Sequence, residues 1–90
     1  MAIEVYFSSV SGNLKAKKNT ETIFGYLSAR QQDFQQIDLS LDSNQAKKEQ
    51  LVSDKGSVVL PSVYVNGKYK GGFEEFDAAC EEGTDKAFFE

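Results

Sequence analysis

The chain has 90 residues, 40% of them hydrophobic and 27% charged, which describes a folded globular protein with material for one core and one domain over residues 1–90. A single cysteine, Cys80, and the lack of histidine exclude an intrachain disulfide, a Cys/His metal site and a histidine-assisted nucleophile. The net charge of −4 is uneven: residues 1–72 carry nine Lys/Arg against seven Asp/Glu (+2), residues 73–90 seven acids against Lys86 (−6), and such an acidic end repels a nucleic-acid backbone.

Ile3-Glu4-Val5-Tyr6-Phe7, rich in β-branched and aromatic side chains, predicts a first strand that the Ser/Gly/Asn cluster at 8–13 ends. The same start places an acid where a secretory leader needs basic residues, and no apolar run approaches the roughly 20 residues of a membrane helix. A cytoplasmic protein away from membranes is therefore expected. From Asn13 onward Ala16, Thr20, Ile23, Phe24 and Leu27 recur at three- and four-residue spacing, predicting a helix to about Arg30 with Asn13 or Ser11 as its cap.

Phe34, Ile37 and Leu39 suggest a short second strand. Asp42 with Gln45 resembles a capping box and opens a polar helix over 43–54 with a thin apolar face. Val63-Tyr64-Val65, then Asn66-Gly67, then Lys68-Tyr69-Lys70 form a two-residue hairpin signal, because a type I′ turn requires positive φ at both central positions. Gly71-Gly72 is expected to break the second hairpin strand. Phe73, Phe76, Ala79 and Cys80 lie at helical spacing on a last helix ending near Gly83, which would bury Cys80 as an inert thiol.

The order is β-α-β-α-β-β-α, an α/β chain in which a right-handed crossover makes the first two strands parallel and the hairpin completes a four-stranded mixed sheet. This is the order of the thioredoxin/glutaredoxin-like fold.

The stretch Leu60-Pro61-Ser62-Val63-Tyr64-Val65-Asn66-Gly67-Lys68 followed by Gly71-Gly72 resembles the glutaredoxin segment with its cis-proline, hairpin and double glycine. Val5-Tyr6, Ser8-Ser9-Val10-Ser11-Gly12, Lys17-Lys18 and Phe24-Gly25-Tyr26-Leu27 resemble one branch of it, the SH3-domain-binding glutamic-acid-rich-protein-like family. Glutaredoxins carry their reactive cysteine between the first strand and first helix, where the helix dipole stabilises a thiolate. This chain has serines and glycine there. A serine hydroxyl ionises far above a thiol and has no histidine to deprotonate it, so thiol-disulfide exchange at this site is excluded and no enzyme is expected.

The resemblance further implies a cis bond before Pro61 and a peptide-facing backbone at Leu60. It implies an anion grip at the opening of the last helix, from Gly71-Gly72 to the amides of Phe73 and Glu74, with Glu75 as partner for the ammonium of glutathione. Ser11 and Gly12 would complete this groove, or serve only as a strand-to-helix turn. Lys15, Lys17 and Lys18 crowd the first turn of the first helix against its dipole, either as a wet face or as an anion-binding rim of which Lys15 is part. Each glycine and proline has the same bland alternative of shaping the chain.

Family members often carry a Pro-Leu-Pro-Pro ligand for SH3 or EVH1 domains, whereas Val58-Val59-Leu60-Pro61-Ser62 has one proline and no P-x-x-P. The expected function is a non-catalytic, redox-inactive adaptor, a monomer that binds an unidentified protein around the groove. No cofactor is expected. A glutathione- or small-ligand-binding protein in redox regulation is the alternative.

Overall fold

The computed structural model describes residues 2–10, 13–56 and 60–90, and the backbone alone of Lys55. The chain runs through β1 (Ile3–Phe7), α1 (Leu14–Ala29), β2 (Gln35–Asp38), a 3-10 turn (Asp42–Asn44), α2 (Gln45–Lys55), β3 (Ser62–Val65), β4 (Lys68–Gly72), α3 (Phe73–Glu82) and α4 (Asp85–Phe88). The strands form one mixed sheet in the order β2-β1-β3-β4. β1 pairs parallel with β2, from Glu4 opposite Gln35 to Phe7 opposite Asp38, and antiparallel with β3, Ile3 facing Val65. β3 and β4 are antiparallel, with a register shift between Val63 and Tyr64.

Because side chains alternate across a strand, the sheet buries two separate sets. Ile3, Val5, Val63 and Val65 pack against Ile23 and Leu27 of α1, Phe76 of α3, and Phe89. On the opposite face Tyr6, Ile37, Tyr64 and Leu39 pack with Leu51 of α2, and Tyr6 stacks on Tyr64 with ring centroids 4.6 Å apart. The hairpin turn has φ of 53° at Asn66 and 82° at Gly67, as a type I′ turn requires. Asn66 also ties down the chain start: Ala2 N donates to its Oδ1 at 2.9 Å, and its own N donates to Ala2 O at 2.7 Å.

Three expectations need correction. Gly71 and Gly72 do not break β4; they are its last residues, opposite Val63 and Ser62. Asp42 and Gln45 form no capping box, because Leu41–Asn44 tighten into the 3-10 turn and the Asn44 side chain donates instead to Asp38 O at 2.8 Å. Cys80 is exposed, not buried. The fully buried positions of α3 are Phe76 and Ala79. The second helix begins at Gln45 and ends at Lys55, close to the expected 43–54.

Among the described residues no helix is long and apolar enough to cross a membrane, and no three Cys, Asp or Glu side chains gather as metal ligands.

Candidate functional site

A groove of about 360 Å³ opens where the N-terminal end of α3 meets the turn before β3 and the side of α1; Asn19, Leu60, Tyr69, Gly72, Phe73, Glu74 and Glu75 line it. The Leu60-Pro61 peptide is cis, Pro61 is buried, and Leu60 is half-buried against the second core. The glycine pair is fixed by close approach. Gly71 has φ of 149°, and a Cβ there would lie 2.8 Å from Glu75 Cβ; at Gly72 it would press on Pro61 O at 3.1 Å. Gly71 is thus required by both its φ and its contacts, and Gly72 is held in a tight contact with the proline turn where α3 begins.

Phe73 is half-buried with its ring 6.0 Å from that of Phe76, while Glu74 and Glu75 are exposed. Glu75 Oε2 accepts the Gly72 amide at 3.1 Å, so one oxygen of the expected ammonium partner caps its own helix. Two acids in the first turn of α3 also complement its dipole. The groove rim is therefore anionic, which disfavours a second carboxylate.

Lys15 is exposed on α1 and is not among the residues lining the groove. Ser11 and Gly12 lie outside the described residues. Of the two cap candidates, Asn13 caps α1: its Oδ1 accepts from Ala16 N at 3.1 Å. Asn19 and Tyr69 line the groove although nothing in the sequence singled them out. Asn19 lies one turn beyond Lys15, and Tyr69 alternates with the lysines of β4, so only the assembled sheet reveals them.

A second cleft of about 410 Å³ lies at the C-terminal end of α1, between Tyr26, Leu27 and Arg30 and the chain end at Asp85, Lys86 and Phe89. Three of its polar side chains answer one another. The Tyr26 hydroxyl donates to Asp85, Arg30 stands 3.6 Å over the Tyr26 ring and 3.7 Å from Asp85, and these contacts fasten α4 to α1. Burial, then the Asp85 hydrogen bond, push the Tyr26 hydroxyl up to about 12. This mutual satisfaction describes a structural junction. The sequence signal for it was the pair Phe88-Phe89, too apolar to leave in water.

A four-stranded mixed sheet with a cis-proline before β3 and a groove at the start of α3 defines a glutaredoxin-like protein of the thioredoxin fold. Residues 1–90 match the family model described as SH3-binding, glutamic acid-rich protein, and the chain belongs to that family. Among solved structures, it is similar to a buckwheat glutaredoxin in complex with glutathione, at 17% identity and a TM-score of 0.73 over 97% of this chain and 74% of that one. It is similar to the actin interacting protein Aip5 of C. albicans, at 19% identity and a TM-score of 0.77 over 98% and 87%. A dithiolic glutaredoxin of Trypanosoma brucei brucei matches at 15% identity and a TM-score of 0.69 over 98% and 86%.

Proposed function

We propose that the chain is a non-catalytic adaptor, monomeric and cytoplasmic, that binds a protein partner around the glutaredoxin-type groove. The observation that carries this reading is a formed groove, with cis-Pro61 and the packed glycine pair in place, beside a β1–α1 connection without cysteine. A family described as SH3-binding and a similar fold in an actin interacting protein both support a protein as the partner class. The missing P-x-x-P argues against an SH3 ligand in this chain. Leu60, Pro61, Gly71, Gly72, Phe73, Glu74 and Glu75 are the residues assigned to the contact.

The test is a shift titration with glutathione run alongside proximity labelling in cells, using wild type and Phe73→Ser/Glu74→Lys. Partners labelled by wild type and lost in the variant, with glutathione silent at millimolar concentration, are expected. Saturating glutathione shifts confined to Leu60, Gly72, Phe73 and Glu74 would instead make it a ligand-binding protein. Disulfide reduction at glutaredoxin rates would sink the non-catalytic reading.

A further inference from the structure

The β1–α1 and β2–α2 connections lie side by side at the C-terminal ends of β1 and β2, clasped by one carboxylate. Asp38 Oδ1 accepts from Ser9 N at 3.1 Å, Ser40 N at 3.0 Å and Ser40 Oγ at 2.7 Å, and the Ser9 and Ser40 hydroxyls are 3.1 Å apart. Burial alone would push the Asp38 carboxyl up, but these hydrogen bonds hold it at about 2, so the clasp stays charged at neutral pH.

The residue that follows the clasp on each connection is aliphatic and in water, as is the first residue of α1. Val10 follows Ser9 and is 77% exposed, Leu41 follows Ser40 and is 52% exposed, and Leu14 opens α1 at 80% exposed. Only one other described large hydrophobic, Val52, is exposed, so the aliphatic surface is concentrated at this end of the sheet. Lys15, Lys17 and Lys18 are exposed on the adjoining turns of α1. That first turn holds no acid, and the described ion pairs, Arg30–Asp85 and Lys47–Glu4, leave these lysines out. With Asp38 engaged, the exposed acids of these connections and of α1 are Asp42 and Glu21, against three cations.

Cations at the positive end of a helix dipole and aliphatics in water are both unfavourable, and one kind of contact relieves both. We propose that this surface docks an acidic amphipathic segment of a partner protein, its carboxylates on Lys15, Lys17 and Lys18 and its apolar side chains on Val10, Leu14 and Leu41. An anionic lipid surface fits less well, because the −6 carried by residues 73–90 opposes approach to an extended negative plane but not to a short segment. The inference rests on the protein-binding function proposed above and names its partner chemistry. Val10 and Leu41 follow β1 and β2, whereas the groove is built from the turn before β3, from β4 and from the start of α3.

The experiment is selection of a random-sequence peptide display library on the purified chain, counter-selected on Lys15→Glu/Lys17→Glu/Lys18→Glu. Enriched peptides should combine Asp or Glu with Leu, Ile or Phe and shift the amides of Val10, Leu14, Lys17 and Leu41. Their affinity should fall by about tenfold or more in the triple variant and weaken as salt is raised. Leu14→Ser, at an exposed position that leaves the fold intact, should weaken them as well. Basic or purely apolar peptides, or peptides indifferent to both variants, overturn the proposal. Peptides that shift only Leu60, Phe73 and Glu74 overturn it while leaving the groove reading standing, and no enrichment at all removes both. Binding to phosphatidylserine-containing vesicles that the triple variant loses, with no peptide selected, reassigns the surface to lipid and also overturns it.

Discussion

Gly72 donates its amide to the Glu75 carboxylate 3.1 Å away, so α3 is capped by an acid of its own first turn. Replacing Glu75 by Ala removes the acceptor and should lower stability by about 0.3–1.5 kcal/mol in urea unfolding, while Glu75→Gln, which keeps an acceptor oxygen, should restore most of it.

The neighbouring position should be less forgiving. Gly71→Ala places a Cβ 2.8 Å from Glu75 Cβ at a φ of 149°, and the strain should cost about 1–3 kcal/mol. Gly72→Ala, which has no positive φ and a nearest approach of 3.1 Å, should cost less. An equal loss at the two sites in urea unfolding would contradict the packing described for the proline turn.

Among its described side chains, α2 has one that is fully buried. Leu51 is 0% exposed, and the helix is otherwise tied to the sheet through Tyr64 to Asp54 at 2.7 Å and Lys47 to Glu4 at 2.8 Å. Leu51→Ala should cost about 2–5 kcal/mol. Hydrogen exchange should accelerate across Gln45–Lys55 before it does in α1 or α3. Uniform acceleration would mean that α2 is not a separable unit.

The Asp38 clasp predicts a pH dependence. A carboxyl held at about 2 in the folded chain and near its ordinary value of about 3.9 when unfolded stabilises the fold fully above the unfolded value. That contribution is lost as pH falls from about 5 towards 2. Asp54 and Asp85 are also held low, Asp54 by hydrogen bonds from Gln50 and Tyr64, Asp85 mainly by the one from Tyr26, and both act in the same direction. Asp38→Asn should therefore flatten part of the decline in urea midpoint between neutral and acid pH. An unchanged slope would show that the clasp is absent in solution.

Cys80 should label fully in the native protein, since it is exposed. The rate should be slow at neutral pH and climb steeply above it, because desolvation first, then the nearby Asp85 and Asp77 carboxylates, push the thiol up. Cys80→Ser should change stability by less than about 0.5 kcal/mol. Labelling that requires denaturant would restore the buried placement read from the helical spacing.

The strands and helices were legible wherever one local rule decided them. β-Branched and aromatic side chains set β1, the Asn66-Gly67 pair set the hairpin, and the spacing from Ala16 to Leu27 set α1. The groove was half legible. Pro61 and the glycine pair follow from a motif, but the reason for both glycines is a contact with Glu75 and with the Pro61 carbonyl that exists only once α3 is docked. Cys80 was misplaced because helical spacing gives the width of a face and not where its centre settles; Phe89, from a chain end that carried no expectation, helps fill the core over which α3 packs. The clasp at Asp38 was invisible for a similar reason, since Ser9 and Ser40 stand far apart in sequence and meet only through the parallel pairing of β1 and β2.

β1 is an interior strand, bordered by β2 on one side and β3 on the other, yet it precedes both in the chain and is synthesised before either. The β1–α1–β2 unit can close locally, but the other border of β1 stays without a partner until Ser62–Val65 have been made. Throughout that interval Ile3 and Val5 lack the valines that later cover them, leaving an apolar strand edge of the kind that seeds association between chains. Synthesis itself thus sets a window of vulnerability that ends with the hairpin, when Asn66 closes on Ala2 across 64 residues of chain.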